Sequence, residues 1–438
     1  MPNLAARRGP GRRHRPAIRG GYHAPMRSIF SAAWAALLLS VLAACTAPTR
    51  EPPPADTPLL LISIDGFRAG YFELGQTPNI ERLAADGVRA QWMTPSYPSL
   101  TFPNHYTLVT GLRPDRHGVV HNSMSDDALG RFRVADRDAV GDTRWWNGGE
   151  PIWIGAQKAG LRSATLFWPG SEAPIRGLRP NRWRPFDASV DENARVDEVL
   201  GWLGEPASTR PHVATLYFDA LDHEGHDHGP NSPEARAALV RIDAAIGRLL
   251  DGLAARGMAD RTNIVLVSDH GMAEVAPGQR IAVEDMIAAD QAVVTSVGQS
   301  IGIVPLRGRE AEVERRLLGA HPNYDCWRKG DLPARWHYGR HPRVPPIVCQ
   351  MREGWDAIEA SKLRESPNPG TRGSHGYDPA LASMRAIFVA RGPAFKRGAT
   401  LAPIDNVDVY PLLARLIGIV PAPNDGHIAP LLPALREP

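Results

Sequence analysis

The sequence predicts an α/β fold with a mostly parallel central sheet and helices on both faces. Three observations lead there. Short continuous apolar runs of strand length recur along the chain, the pattern of strands buried on both faces. Segments with helical apolar spacing fall between them. Acidic residues directly or closely follow several runs, and ligands of open α/β sheets gather at the carboxyl ends of the strands.

The elements follow in order. Leu59 to Ile64 (LLLISI) is a central strand that ends at the turn Asp65-Gly66. Thr77 to Gly87 is helical, with Ile80, Leu83 and Ala84 on one face and a glycine stop. A strand at Val88 to Met93 leads into the loop TPSYPSLTFPN, and His105 to Gly111 is helical. Thr101 then lies near a helix N-terminus, where free N–H groups favour a phosphate. Ser163 to Trp168, Val213 to Phe218, Asn263 to Ser268 and Arg385 to Ala390 are further strands. Helices are expected at Ile152 to Lys158, Asp191 to Leu203, Pro233 to Arg256 and Val407 to Ile417. Residues 275–372 depart from this alternation, with a charged RGREAEVERR run and a Pro/Trp/Tyr-rich stretch. We read them as a small lobe inserted into one catalytic domain, residues 59–438.

The first 44 residues look like an export signal rather than fold. They carry seven arginines, no lysine and no acid. Without them the formal net charge of +3 becomes −4, so the body gives no reason to expect a nucleic-acid polymer as partner. The apolar stretch Ile29 to Ala44 is too short for a comfortable membrane span. Met26 sits where a signal peptide normally starts, so residues 1–25 are either upstream of the true start or a long basic leader. Leu42-Ala43-Ala44-Cys45 resembles the lipobox of a bacterial lipoprotein, which makes Cys45 the expected lipidation site. Residues 45–58 follow as a Pro-rich tether. The expected location is the periplasmic side of the envelope, on the outer membrane, with the lipid as the only membrane contact. In that oxidising compartment the remaining pair, Cys326 and Cys349, is expected to form a disulfide.

Five pieces carry the chemistry: Asp65 in LISIDG, Thr101 in PSLTFPNH, the run LDHEGHDHGP, Asp269-His270 in VSDHGM, and His375 in GSHGYD. Carboxylate and imidazole ligands suit Zn²⁺, and also admit Mn²⁺ or Mg²⁺. Two such half-sites ~3.5–4 Å apart clamp the attacking and leaving oxygens of a phosphoryl displacement. A hydroxyl such as that of Thr101 becomes a nucleophile only with help of this kind. One ambiguity is internal. In FDALDHEGH, Asp219 and His223 are four apart, and so are Asp222 and His226; spacing alone does not choose.

LISIDGFR, TPNIERLAADG and TPSYPSLTFPNHYTLVTGLRPDRHGVVHN together resemble the nucleotide pyrophosphatase/phosphodiesterase family of the alkaline phosphatase superfamily. ATLFWPG, LDHEGHDHGP, VSDHGM and SHGYD continue the match in the family's order, over nearly all of residues 58–420. The resemblance implies an alkaline phosphatase-like core and two zinc ions per chain. Thr101 matches the nucleophile, which forms a covalent phospho-enzyme intermediate. Asp65, Thr101, Asp269 and His270 match the ligands of one zinc; Asp222, His226 and His375 match those of the other. Asn122 matches the side chain that donates a hydrogen bond to a phosphoryl oxygen. The family's Asp before the last histidine is replaced here by Ser374, which alters the surroundings of His375 more than its ligation.

Phe102 resembles the family's base-stacking position, with Tyr217 and Phe186 as further candidate walls of a substrate pocket. Asn122 is neutral where a monoester dianion would want Arg or Lys, which fits a diester monoanion. The expected reaction is therefore hydrolysis of phosphodiester and pyrophosphate bonds in small nucleotides, with release of a nucleoside 5′-monophosphate. A phospholipid-type diesterase, a Thr-nucleophile phosphomonoesterase and a non-catalytic, lipid-anchored metal- or nucleotide-binding protein are the alternatives. Thr101-Phe102-Pro103-Asn104 lacks the arginine of the sulfatase motif, which argues against a sulfatase.

Overall fold

A computed structural model describes residues 57–366 and 370–436. The leader, Cys45 and the tether up to residue 56 lie outside the described residues. No described helix is long and apolar enough to cross a membrane.

Eight strands form the central sheet: β1 (Leu59–Ile64), β2 (Val88–Ala90), β3 (Ser163–Leu166), β4 (Arg182–Arg184), β5 (Val213–Phe218), β6 (Asn263–Val267), β7 (Phe388–Arg391) and β8 (Ala399–Leu401). Their order is β8-β2-β7-β6-β1-β5-β3-β4. Only β7 runs antiparallel to its neighbours, β6 and β2; the other pairings are parallel. The expected α/β class therefore holds, with one reversed strand.

All six residues of β1 are buried, because successive side chains enter opposite cores. Leu59 and Leu61 join the core on one face, with helices α2 (Thr101–Thr110), α3 (Ile152–Lys158) and α7 (Val409–Leu416). Leu60, Ile62 and Ile64 join the other, with α1 (Pro78–Ala85), α4 (Glu192–Leu203) and α6 (Pro233–Ala255). Each such Leu or Ile contributes roughly 1.5–3 kcal/mol. Asp243 of α6, itself buried, accepts the amides of Asn79 and Ile80 and so caps α1 from a neighbouring helix.

Several boundaries moved. The expected strand Val88 to Met93 splits: β2 stays in the main sheet, while Met93–Thr94 pairs with Ile404–Asp405. The strand expected at Arg385 to Ala390 begins at Phe388. α2 starts at Thr101 itself, four residues before His105. LDHEGHDHGP, given no element from the sequence, lies in helix α5 (Ala220–His228) except for its last two residues. Edge strands β4 and β8 lack a continuous apolar run and gave no signal.

Between β6 and β7, strands at Ala292–Ser296, Ser300–Pro305, Gly319–Ala320, Tyr324–Arg328 and Ile347–Met351 form a second sheet, wholly antiparallel, with an apolar cluster of its own. Cys326 and Cys349 face each other across it and are disulfide-bonded.

Candidate metal centre

Three neighbouring parallel strands, β6, β1 and β5, bring their carboxyl ends together. Asp65 follows β1 directly, and Asp269-His270 follows β6 after Ser268. α5 begins two residues after β5. Gly66 has φ +70°, and a Cβ there would lie 3.1 Å from Asp222 Oδ1, so only glycine lets this turn approach α5.

α5 turns the two Asp–His pairs in different directions. Asp219 precedes the helix and accepts from the guanidinium of buried Arg195 at 2.7 Å. His223 is 73% exposed and lies beside Asp227. Asp222 and His226 face inward instead. His226 Nε2 lies 3.5 Å from Asp222 and 3.0 Å from His375 Nε2, and His375 Nε2 lies 3.5 Å from Asp222. The Nδ1 atom of His226 donates to the Gly373 carbonyl at 3.0 Å, and that of His375 to the Ser99 carbonyl at 2.9 Å. Both Nε2 atoms are thus left as bare acceptors pointing at one another, an arrangement that a shared cation stabilises. Glycines set this spacing. A Cβ on Gly373 would lie 2.3 Å from the carbonyl oxygen of Gly225 in α5.

The other half holds Asp65, Asp269, His270 and Thr101. His270 Nε2 lies 2.9 Å from Asp269, 3.6 Å from Asp65 and 3.3 Å from Thr101 Oγ1. The His270 and His375 rings stack at 3.6 Å, joining the halves. Asp65 Oδ1, Asp222 Oδ1 and Asp269 Oδ2 are buried with no hydrogen-bond partner. Three groups of side chains converge closely enough to hold an ion: Asp222, His226 and His375; Asp65, His105 and Asp269; Asp65, Asp222 and His270. Three orphaned carboxylate oxygens are costly unless a cation takes them, so the donor set fits bound divalent metal.

The electrostatics agree. Burial, then Asp269 and Asp222, push the Asp65 carboxyl well above its usual range. Burial also raises Asp222, against the pull of His226 and His270. Burial would raise Asp269 too, but His270 and His105 outweigh it and hold this carboxylate well below its usual range. Burial and the neighbouring His270 and His226 hold His375 neutral, as a ligand must be.

Thr101 is the first residue of α2, with its hydroxyl turned to His270. Asn122 accepts the Phe102 amide on its carbonyl oxygen at 3.0 Å, which leaves its NH₂ group to donate elsewhere. Phe102 is half-buried against Phe132 and Trp146. Tyr217 does not form an open wall. It is buried, and its hydroxyl donates to Asp65 Oδ2 at 2.6 Å. Phe186 packs on it at 6.1 Å and on Phe167 at 5.6 Å.

His105 was not foreseen from the sequence. Its Nε2 meets Ser63 Oγ at 2.8 Å, and its Nδ1 meets the Thr101 carbonyl at 2.9 Å and Asp269 at 3.4 Å. Both nitrogens are engaged, by Ser63 and by the Thr101 carbonyl, so it lies against Asp269 without offering a lone pair. Its place one helical turn after Thr101 was the available signal.

A covered, mostly parallel sheet with a buried Asp/His cluster at its carboxyl edge defines a metal-dependent hydrolase of the alkaline phosphatase type. The sequence matches the family "Type I phosphodiesterase / nucleotide pyrophosphatase" over residues 59–378. The chain belongs to that family. It is 36% identical to human ectonucleotide pyrophosphatase/phosphodiesterase family member 7 over 419 residues, covering 92% of this chain and 90% of the relative. Human family member 5 is 34% identical over 374 residues, covering 85% and 77%. An inactive Thr-to-Ala variant of murine member 5, solved in complex with AMP, superposes with TM-score 0.81 at 32% identity, covering 87% of this chain and 100% of that one.

Proposed function

We propose that this chain is a two-zinc nucleotide pyrophosphatase/phosphodiesterase that hydrolyses small nucleotides through a phospho-Thr101 intermediate and releases nucleoside 5′-monophosphate. The observation that carries the reading is the convergence of three unpartnered carboxylate oxygens and two bare Nε2 atoms next to the Thr101 hydroxyl. Asp65, Asp269, His270 and Thr101 would hold one zinc, and Asp222, His226 and His375 the other. Bound there, zinc acidifies a hydroxyl and neutralises charge on phosphoryl oxygens.

The chain's own residues supply the rest. Thr101 Oγ1 forms a bond to phosphorus while the bond to the leaving oxygen breaks; water then cleaves the phospho-threonine, returning the hydroxyl. The free NH₂ of Asn122 donates to a non-bridging oxygen. Tyr217 orients Asp65. The half-buried Phe102 ring offers its free surface to a nucleobase; Tyr217 and Phe186 back the site from beneath. The inactive Thr-to-Ala relative and its AMP ligand support both the nucleophile and the product class. We further propose export, anchoring through a lipidated Cys45 and a periplasmic location, which suits relatives named as ectonucleotide enzymes.

The test compares a nitrophenyl nucleotide diester with the corresponding nitrophenyl phosphate monoester, with zinc counted by elemental analysis. We expect much faster diester cleavage and two zinc per chain. Equal or reversed rates would overturn the diester assignment.

A further inference from the structure

A cleft of about 540 Å³ is walled in part by the chain segments that carry Asn122 and lead into His375. Arg131, Arg133, Arg280, Lys362 and Arg372 line it, against three acids, Asp356, Glu359 and Glu365. The acids leave part of this charge unmatched, three carboxyls against five cations. Asp356 is buried and hydrogen-bonded to the Gln299 amide, and burial raises its carboxyl toward the neutral form. Glu365 lies 3.6 Å from Lys362, both well exposed. The cations are partly uncommitted. Arg131 and Arg133 stand on one face of the hairpin Ser123–Asp126/Gly130–Arg133, two residues apart. Both are exposed, and neither has an acidic partner among the described residues. Burial and the nearby Arg372 both disfavour charge on Arg280, a repulsion that a bound anion would relieve.

Two backbone links tie the cleft to the reacting centre. Ser123, on its wall, directly follows Asn122. Arg372 directly precedes Gly373, whose carbonyl holds His226. In the proposed reaction Thr101 attacks from the opposite half, so the departing group leaves on the His226 side.

We propose that this cleft is a subsite for a leaving group that itself carries phosphate, pyrophosphate being the smallest. The proposal rests on the nucleotide pyrophosphatase reading above. With a nucleoside triphosphate, the bond from the α-phosphorus to the bridging oxygen breaks. Pyrophosphate departs with the electron pair, and the water oxygen ends on the nucleoside monophosphate.

The experiment measures kcat/KM of the zinc-loaded enzyme for ATP and for the nitrophenyl ester of AMP, which share the transferred group and differ in the leaving group. In the double variant Arg131→Gln/Arg133→Gln, the ATP-to-ester ratio should fall about tenfold or more, the loss expected for charged hydrogen bonds. The steeper salt dependence of the ATP reaction should shrink with it. Arg280→Gln should lower the ratio in the same direction. Wild type cleaving both substrates with the ratio unchanged in every variant would overturn the subsite while leaving the activity standing. Wild type cleaving neither would overturn the activity and the subsite together.

Discussion

The Tyr217 hydroxyl donates to Asp65 Oδ2 at 2.6 Å, from the register position opposite Ser63, one residue behind the last pair of adjacent strands. The bond leaves Asp65 Oδ1 free and aimed into the metal centre. Removing it in Tyr217→Phe should weaken zinc binding by about 10- to 100-fold, the usual cost of losing a group that orients a ligand. Competition with a chromogenic chelator reads this directly. Unchanged affinity would show that β1 alone holds Asp65 in place.

On the proposed two-zinc reading, Thr101→Ala should abolish turnover while both metals remain bound, because the three carboxylates and three histidines stay in place. Elemental analysis and a diester assay on the same sample separate the two effects. Turnover by the alanine variant would sink the proposed nucleophile.

The two Asp–His pairs at α5 predict opposite phenotypes. Asp222→Asn should eliminate activity. Asp219→Asn should keep most of it but lower stability by about 1–3 kcal/mol, since buried Arg195 loses its charged partner. Diester assays with urea midpoints on both variants check the assignment, and an inactive but stable Asp219→Asn would reverse it.

Much of this was legible in the sequence. Central strands announced themselves because burial on both faces demands an unbroken apolar run, as in LLLISI and VATLYF. The residues at their ends could be placed with them. α5 was not legible: its nine residues, ALDHEGHDH, hold too few apolar side chains to make a stripe. It is helical through contacts with α6 and the Arg372–Ser374 strand. The roles of Tyr217 and His105 were also hidden. A buried aromatic and a buried imidazole look like core until the facing carboxylate is known.

Asp243 offers a stability test remote from the metals. It accepts three donors at the start of α1: the Asn79 and Ile80 amides and the Asn79 side chain at 2.9 Å. Asp243→Ala strands buried donors and should cost about 2–3 kcal/mol, read as a lower urea midpoint with unchanged slope. A loss below half a kcal/mol would mean that water replaces the carboxylate.

Acid sensitivity should come in part from two histidines. Burial lowers His117 from 6.5 to about 3 and His121 from 6.5 to about 4. Between those values and 6.5 the unfolded chain binds the extra protons. Stability from these groups is therefore complete above pH 6.5 and declines as pH falls, by up to about 1.4 kcal/mol per pH unit for each. Urea midpoints from pH 7 through 6 to 5 should fall less steeply in His117→Asn/His121→Asn than in wild type. Identical slopes would place the acid sensitivity elsewhere.

The contact between Gly225 and Gly373 gives the histidine-rich half of the centre its gauge. His226 rides on one backbone and His375 on the other, and the two chains touch with no side chain between them. The size of ion that half accepts is thus set by how closely two stretches of main chain can pass. Swapping one ligand type for another would retune affinity within that gauge, whereas a single methyl group at position 373 would change the gauge itself.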